Sequence, residues 1–132
     1  MEHEIEQVIA RYTAAIHSQD EKEFKSLWTG EPTNTLISGS SVFTGLETIC
    51  QDFLIGILQK RYSTIALANV GLTSYSLTGD VAVAVFRYHT VCTLRDTGEP
   101  YGIAGVETQV MKKTGAGWKI AHIQYHGSIV SQ

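Results

Sequence analysis

Three side chains of complementary chemistry stand out in the second half of the chain: the Arg87 guanidinium, the Glu107 carboxylate and the His122 imidazole. A partly buried carboxylate beside a guanidinium stays ionised, and it can also orient a histidine one row away. These are the ingredients of a general acid–base site. Further polar residues follow at even intervals in the same three segments: His89 after Arg87, Gln109 after Glu107, then Gln124 and His126 after His122. On β-strands even spacing means one face, so all of them are candidate lining for a single cavity.

The elements that must hold these residues are long strands. From Trp118 to Ser128 no helical stripe fits, and the β-branched and aromatic content favours a strand. Read with period two, Trp118, Ile120, His122, Gln124 and His126 share a face that begins apolar and turns titratable. Turn signals at Thr78-Gly-Asp80, Asp96-Thr-Gly-Glu99 and Thr114-Gly-Ala-Gly117 divide residues 62–127 into a four-stranded antiparallel meander.

Turn lengths then set register. A two- or four-residue connection at Thr114–Gly117 pairs Lys113 with Trp118, hence Gln109 with His122 and Glu107 with Gln124. Asp96-Thr-Gly98 reads as a three-residue loop with Gly98 in a left-handed position, which pairs Arg95 with Glu99, Arg87 with Glu107 and His89 with Gly105. The rows Val85–Gln109–His122, Arg87–Glu107–Gln124 and His89–Gly105–His126 result. Strands about 4.8 Å apart put Arg87 within salt-bridge reach of Glu107, and Gly105 leaves room between two histidines. An even-numbered loop at 96–98 would remove Arg87 from this face. A buried Arg–Glu pair is also a purely structural device, and strand histidines also serve as satisfied core residues. Metal binding is not expected: His122 and His126 are roughly 13 Å apart along a strand, too far for one ion. No GxSxG elbow or Cys–His pairing points to a nucleophile.

The first half of the chain supplies helices. Ile5, Val8, Ile9, Tyr12, Ala15 and Ile16 form one stripe over residues 3–18, which buries the Tyr12 ring and leaves its hydroxyl needing a partner. Asp20 with Glu23 is a capping-box pattern for a short second helix that buries Phe24, Leu27 and Trp28. Thr44-Gly-Leu-Glu47 opens a third, with Leu46, Ile49, Cys50, Phe53, Leu54 and Ile57 inward. Short strands are expected at Thr35–Ser38 and Val42–Phe43. The fold class is α+β, three N-terminal helices on a curved, mostly antiparallel sheet of about six strands enclosing a pocket.

At 132 residues, 43% hydrophobic and 17% charged, the chain reads as one globular domain over 1–132. A net charge of −3 without a basic cluster gives nucleic-acid binding little support. No segment reads as a membrane span or a secretory leader, and Cys50 and Cys92 fit no metal spacing, so a cytoplasmic protein with reduced thiols is expected. Val81, Val83 and Val85 alternate with Ala82, Ala84 and Phe86, so both sheet faces carry apolar residues; a homodimer through the outer face is expected.

The order of helices and strands resembles the nuclear-transport-factor-two-like, cystatin-like cone that includes SnoaL-like proteins and ketosteroid isomerase. Arg11-Tyr12-Thr-Ala-Ala15 with Asp20 resembles the isomerase's first-helix segment, which implies a substrate-oxyanion donor at Tyr12. The isomerase's general-base aspartate corresponds to Leu36, and its second oxyanion acid falls near Gln109. Phe86-Arg87, Asp96-Thr-Gly98, Glu107-Thr108 and Trp118-Lys-Ile-Ala-His122 resemble the association (hub) domain of calcium/calmodulin-dependent kinases. In that domain, arginines on the inner sheet face accept small carboxylates. Arg87 matches one of them, and Tyr101 stands where another is found.

Two functions follow as expectations. One is a cofactor-free acid–base enzyme of isomerase, cyclase, dehydratase or hydrolase type on a small polar or anionic ligand. In it Arg87 and Glu107 position the ligand, His122 transfers a proton and Tyr12 donates to an oxyanion, with Trp28, His89, Tyr101, Gln109, Gln124 and His126 lining the cavity. The other is a ligand-binding or oligomerisation module that uses the same cavity without turnover.

Overall fold

The structure, a computed structural model, describes residues 2–130, with side chains over 3–70 and 77–130. Helix α1 (Glu2–Ser18) buries its whole apolar stripe from Ile5 to Ile16, as amphipathic periodicity requires. Helix α2 (Glu21–Ser26) starts at Asp20, whose carboxylate accepts from the Glu23 N–H at 3.0 Å. Phe24, Leu27 and Trp28 pack beneath it.

Strands β1 (Thr35–Ser38) and β2 (Ser41–Thr44) form a hairpin around Gly39. The third helix departs from expectation at both ends. Thr44 closes β2, so the N-cap falls to Gly45 at φ +87°, while Glu47 pairs with Lys25 at 3.0 Å instead of completing a capping box. After α3 (Leu46–Thr48) the chain widens into a π-helix over Ile49–Gln59, at whose end the Lys60 N–H donates to the Ile55 carbonyl five residues back. Apolar pairs four residues apart suit this wider turn. Ile49 and Cys50, then Phe53 and Leu54, are buried, and Ile57 and Leu58 follow half-buried beneath them.

Strands β3 (Tyr62–Thr78), β4 (Val81–Leu94), β5 (Pro100–Thr114) and β6 (Gly117–Val130) complete a six-stranded sheet in the order β2-β1-β6-β5-β4-β3. Only the β1–β6 pairing is parallel. The helices and one sheet face enclose the core.

Two registers differ from the sequence reading, each by one residue. The β4–β5 loop runs from Arg95 to Gly98 and closes on Leu94 and Glu99, so it is even-numbered. Arg95 is drawn out of the hairpin by other bonds. Its N–H donates to the Arg61 carbonyl at 2.8 Å, and its guanidinium donates to the carbonyls of Gln59 (2.8 and 3.1 Å) and Tyr62 (2.8 Å). Glu107 is consequently opposite Phe86, and Arg87 opposite Val106. The β5–β6 turn pairs Lys113 with Trp118 as expected, but a bulge follows. Met111 is opposite Ile120 and Val110 opposite His122, leaving Ala121 as the extra residue. There β6 changes neighbours: Ile120 bonds to Leu27 and Thr29, whereas His122 onward pairs with β1. The bulge lets Trp118, Ile120 and then Ile123 all reach the core. It also turns His122, Gln124 and His126 to the convex side.

Candidate active site

The inner face presents a different set of polar groups from the rows expected. Glu107 on β5 is wholly buried, flanked by its partners Phe86 and Tyr125. Its Oε2 accepts from Gln109 Nε2 at 2.6 Å; its Oε1 has no partner, nor has Gln109 Oε1. No cation pairs with this carboxylate among the described residues. Burial therefore dominates, and it pushes the Glu107 carboxyl up to about 8 against the smaller opposing effect of the Gln109 bond. Glu107 is an uncharged acid at neutral pH, not the ionised partner of an arginine.

Three tyrosines gather beside it. The Tyr12 hydroxyl, carried inward by α1, is hydrogen-bonded to the hydroxyl of Tyr125. Tyr88 meets Tyr125 edge-on with centroids 5.5 Å apart, and Phe53 of the π-helix stacks on Tyr125 at 5.8 Å. Burial first, and the Glu107 charge second, push Tyr12 and Tyr125 well above the ordinary phenol range and Tyr88 up to about 12. All three are therefore neutral hydroxyls throughout the physiological range. Gly127 is required here, because a Cβ on it would collide with the Tyr88 hydroxyl.

Tyr88 and Tyr125 form the polar wall of a partly open cavity of about 120 Å³ between the π-helix and the sheet. Ile16, Phe53, Ile57, Leu58, Ile65, Leu67 and Ile103 make its apolar walls; Tyr62, Thr90, Ser38 and Arg61 add the remaining polar atoms. It shares Ser38, Tyr88, Ile103 and Tyr125 with an outer cleft of about 500 Å³, where Tyr101 and His126 form part of the rim. Glu107 stands behind the tyrosines and does not itself line the cavity.

The remaining candidates are dispersed. Arg87 is exposed on the convex face, so neither the Arg87–Glu107 pair nor an inner-face arginine of hub type forms at that position. His122 is half-buried on the same face beside Thr35; burial pushes its imidazole down, against the smaller opposing effect of its hydrogen bond to the Thr35 backbone. His89, opposite Ala104, and the exposed Gln124 and His126 also project from the convex parity. Gly105 does not separate two histidines. It lies between Tyr88 and Gly127, and a Cβ there would strike the His126 backbone. Trp28 is a core residue packed on Phe24 at 6.0 Å, with an unpartnered Nε1. Leu36 is fully buried. Among the described residues no three metal-ligating side chains cluster, and no helix is long and apolar enough to cross a membrane.

Tyr88, Tyr125 and Arg61 were missed from the sequence. A usable signal for Tyr125 existed: Ile120 and Ile123 cannot both be buried on a regular strand, so their joint burial implies a bulge and places Tyr125 inward.

An α+β cone of helices over a mixed sheet, with a tyrosine-lined pocket at its centre, is an NTF2-like fold. The chain belongs to the SnoaL-like domain family, whose model matches residues 5–132. It is similar to an NTF2-like superfamily protein from Salmonella enterica serovar Typhimurium, with 28% identity, a TM-score of 0.91 and coverage of 98% of this chain and 92% of that one. Two solved structures with lower identity share the fold. One is a LinA-type3 hexachlorocyclohexane dehydrochlorinase from Novosphingobium barchaimii (13% identity, TM-score 0.82, coverage 98% and 90%). The other is described as a putative dehydratase from Streptomyces avermitilis (18% identity, TM-score 0.77, coverage 94% and 95%). No curated protein matches the chain.

Proposed function

We propose that this protein is a cofactor-free enzyme acting on a small, largely apolar molecule held in the partly open cavity. Tyr125 and Tyr88 donate to an acceptor oxygen of that molecule, and a protonated Glu107 behind them keeps the cluster uncharged while negative charge develops on the oxygen. The carrying observation is the placement of Glu107, a fully buried carboxyl beside tyrosine hydroxyls with no cationic partner among the described residues, which burial pushes up to about 8. A neutral carboxylic acid grouped with tyrosine hydroxyls suits oxyanion stabilisation, whereas a carboxylate there would oppose it. The dehydrochlorinase and putative dehydratase among the structural relatives favour small-molecule chemistry in this fold. The cavity volume suits a body of about benzene size, since an apolar cavity of roughly 150 Å³ takes benzene. Larger substituents extend into the outer cleft.

One observation favours a second reading, binding without turnover: among the described residues no histidine and no carboxylate lines the inner cavity itself. Native mass spectrometry of the purified protein identifies a retained ligand, and Glu107→Gln and Tyr125→Phe are then compared for affinity and turnover. An enzyme loses about 10²–10³ in kcat with affinity largely kept. Unchanged turnover in both variants rejects the proposed oxyanion site, and a protein that binds the ligand but leaves it unaltered is a binder.

A further inference from the structure

We propose that Arg61 is an anion-recognition residue at the cavity mouth, and that the ligand is an apolar body bearing a single carboxylate. The inference rests on the cavity reading above and adds the charge and orientation of its occupant. Arg61 follows the π-helix and contributes to the cavity lining, otherwise supplied by apolar residues and neutral polar groups. Its guanidinium carbon lies 5.2 Å from the Tyr101 ring centroid and 5.6 Å from that of Tyr62, and the two rings are 5.9 Å apart. Stacking on two aromatic rings restricts the guanidinium while leaving its N–H edge available for a planar anion.

The surroundings reinforce this selectivity. Among the described residues no carboxylate lies within ion-pair distance of Arg61. The nearby Arg95 guanidinium donates through Nε and Nη2 to the carbonyls of Gln59 and Tyr62 and adds positive potential there. Arg61 itself is held beside an apolar hollow. A molecule with its ring among Phe53, Ile57 and Ile65 would place a carboxylate one or two bonds from that ring at the mouth, against Arg61. Its opposite edge would face Tyr88 and Tyr125. A planar carboxylate can pair bidentately with the planar guanidinium edge, and that match is the basis for assigning a carboxylate.

Titration calorimetry with phenylacetate and the near-isosteric neutral 2-phenylethanol tests the assignment, with phenyl phosphate as a third probe. Phenylacetate should bind about tenfold more tightly than the alcohol at low salt. Arg61→Gln should remove that difference while leaving alcohol binding unchanged, and Arg61→Lys should keep part of it. A wild-type protein that binds both equally, or an Arg61→Gln variant with the carboxylate preference intact, overturns the assignment and leaves the cavity standing. Tighter binding of phenyl phosphate than of phenylacetate overturns the carboxylate class. Absence of binding by all three probes overturns the cavity reading together with this one. Arg61 is exposed, so thermal melts of the variants should match wild type.

Discussion

Glu107 couples the site to the stability of the whole fold. Its carboxyl titrates near 4.5 when unfolded and near 8 when folded, so both states are protonated below the lower value. Between the two values the folded state keeps a proton that the unfolded state releases. The stabilisation is therefore complete in acid and is lost as pH rises through about 8. At about 1.4 kcal/mol per unit of difference, the loss is on the order of a few kcal/mol. His122 has the opposite sign: its lowered folded pKa withdraws stability as pH falls below the ordinary histidine range. Melting temperatures by circular dichroism between pH 7 and 8, below the range in which the raised Cys50 and Cys92 thiols contribute, report Glu107. They should fall for wild type and stay level for Glu107→Gln, which retains a partner for Gln109; a level wild-type profile contradicts the buried acid. The Tyr12–Tyr125 bond is tested by a double-mutant cycle. Either Phe substitution strands one buried hydroxyl and should cost about 1–3 kcal/mol, whereas the double substitution should cost less than the two singles together. Additive costs would show that the hydroxyls do not stabilise one another.

At the scale of elements, two local devices decide which residues meet. Arg95 ties the β4–β5 loop to the end of the π-helix by side-chain bonds to two carbonyls. Arg95→Ala should lower stability by about 1–2 kcal/mol in urea denaturation, because those carbonyls lose charged donors near the surface. Deleting Ala121, by contrast, should be tolerated. Without the extra residue Ile120 and His122 become consecutive and keep Met111 and Val110 as partners, so Ile123 and Tyr125 stay on the inner face. A deletion variant that fails to fold, or melts without cooperativity, would refute this account of the bulge.

These same devices explain what was legible in the sequence. Helix stripes, the Asp20 cap and the meander turns are repeated signals spread over many residues, so α1, α2 and the four-stranded meander were recoverable; the parallel pairing of β1 with β6 was not. Facing depends on a single residue at each of two places. Arg95 leaves its hairpin for carbonyls distant in sequence, and Ala121 bulges where β6 exchanges the Leu27–Thr29 segment for β1. Neither event has a local signature in the turn residues. Glu107 and Gln109 still reached the interior, but Phe86 and Tyr125 flank Glu107 in place of Arg87 and Gln124, and Ala84 and Ile123 flank Gln109 in place of Val85 and His122.

The whole molecule carries its remaining apolar surface on the convex face of the sheet. Val83, Val85, Val106 and Val110 are only half-buried there, and Val91 is 48% exposed. Arg87, His89, His122 and Gln124 are interspersed among them, so the patch is amphipathic and already solvated in part. Covering it with a second copy removes valine side chains from water at about 25 cal/mol per Å². Light scattering at micromolar concentration should accordingly report twice the 14.5 kDa chain mass. Val106 faces Arg87 across one strand and His126 across the other, near the middle of this surface. Val106→Lys therefore adds charge where a partner would bury it, opposite the like-charged Arg87, and should give a monomer with an unchanged circular dichroism spectrum. The cavity lies on the opposite side of the sheet, so phenylacetate affinity should survive dissociation. A wild-type monomer, or a Val106→Lys variant that remains dimeric, would place the subunit contact elsewhere or remove it.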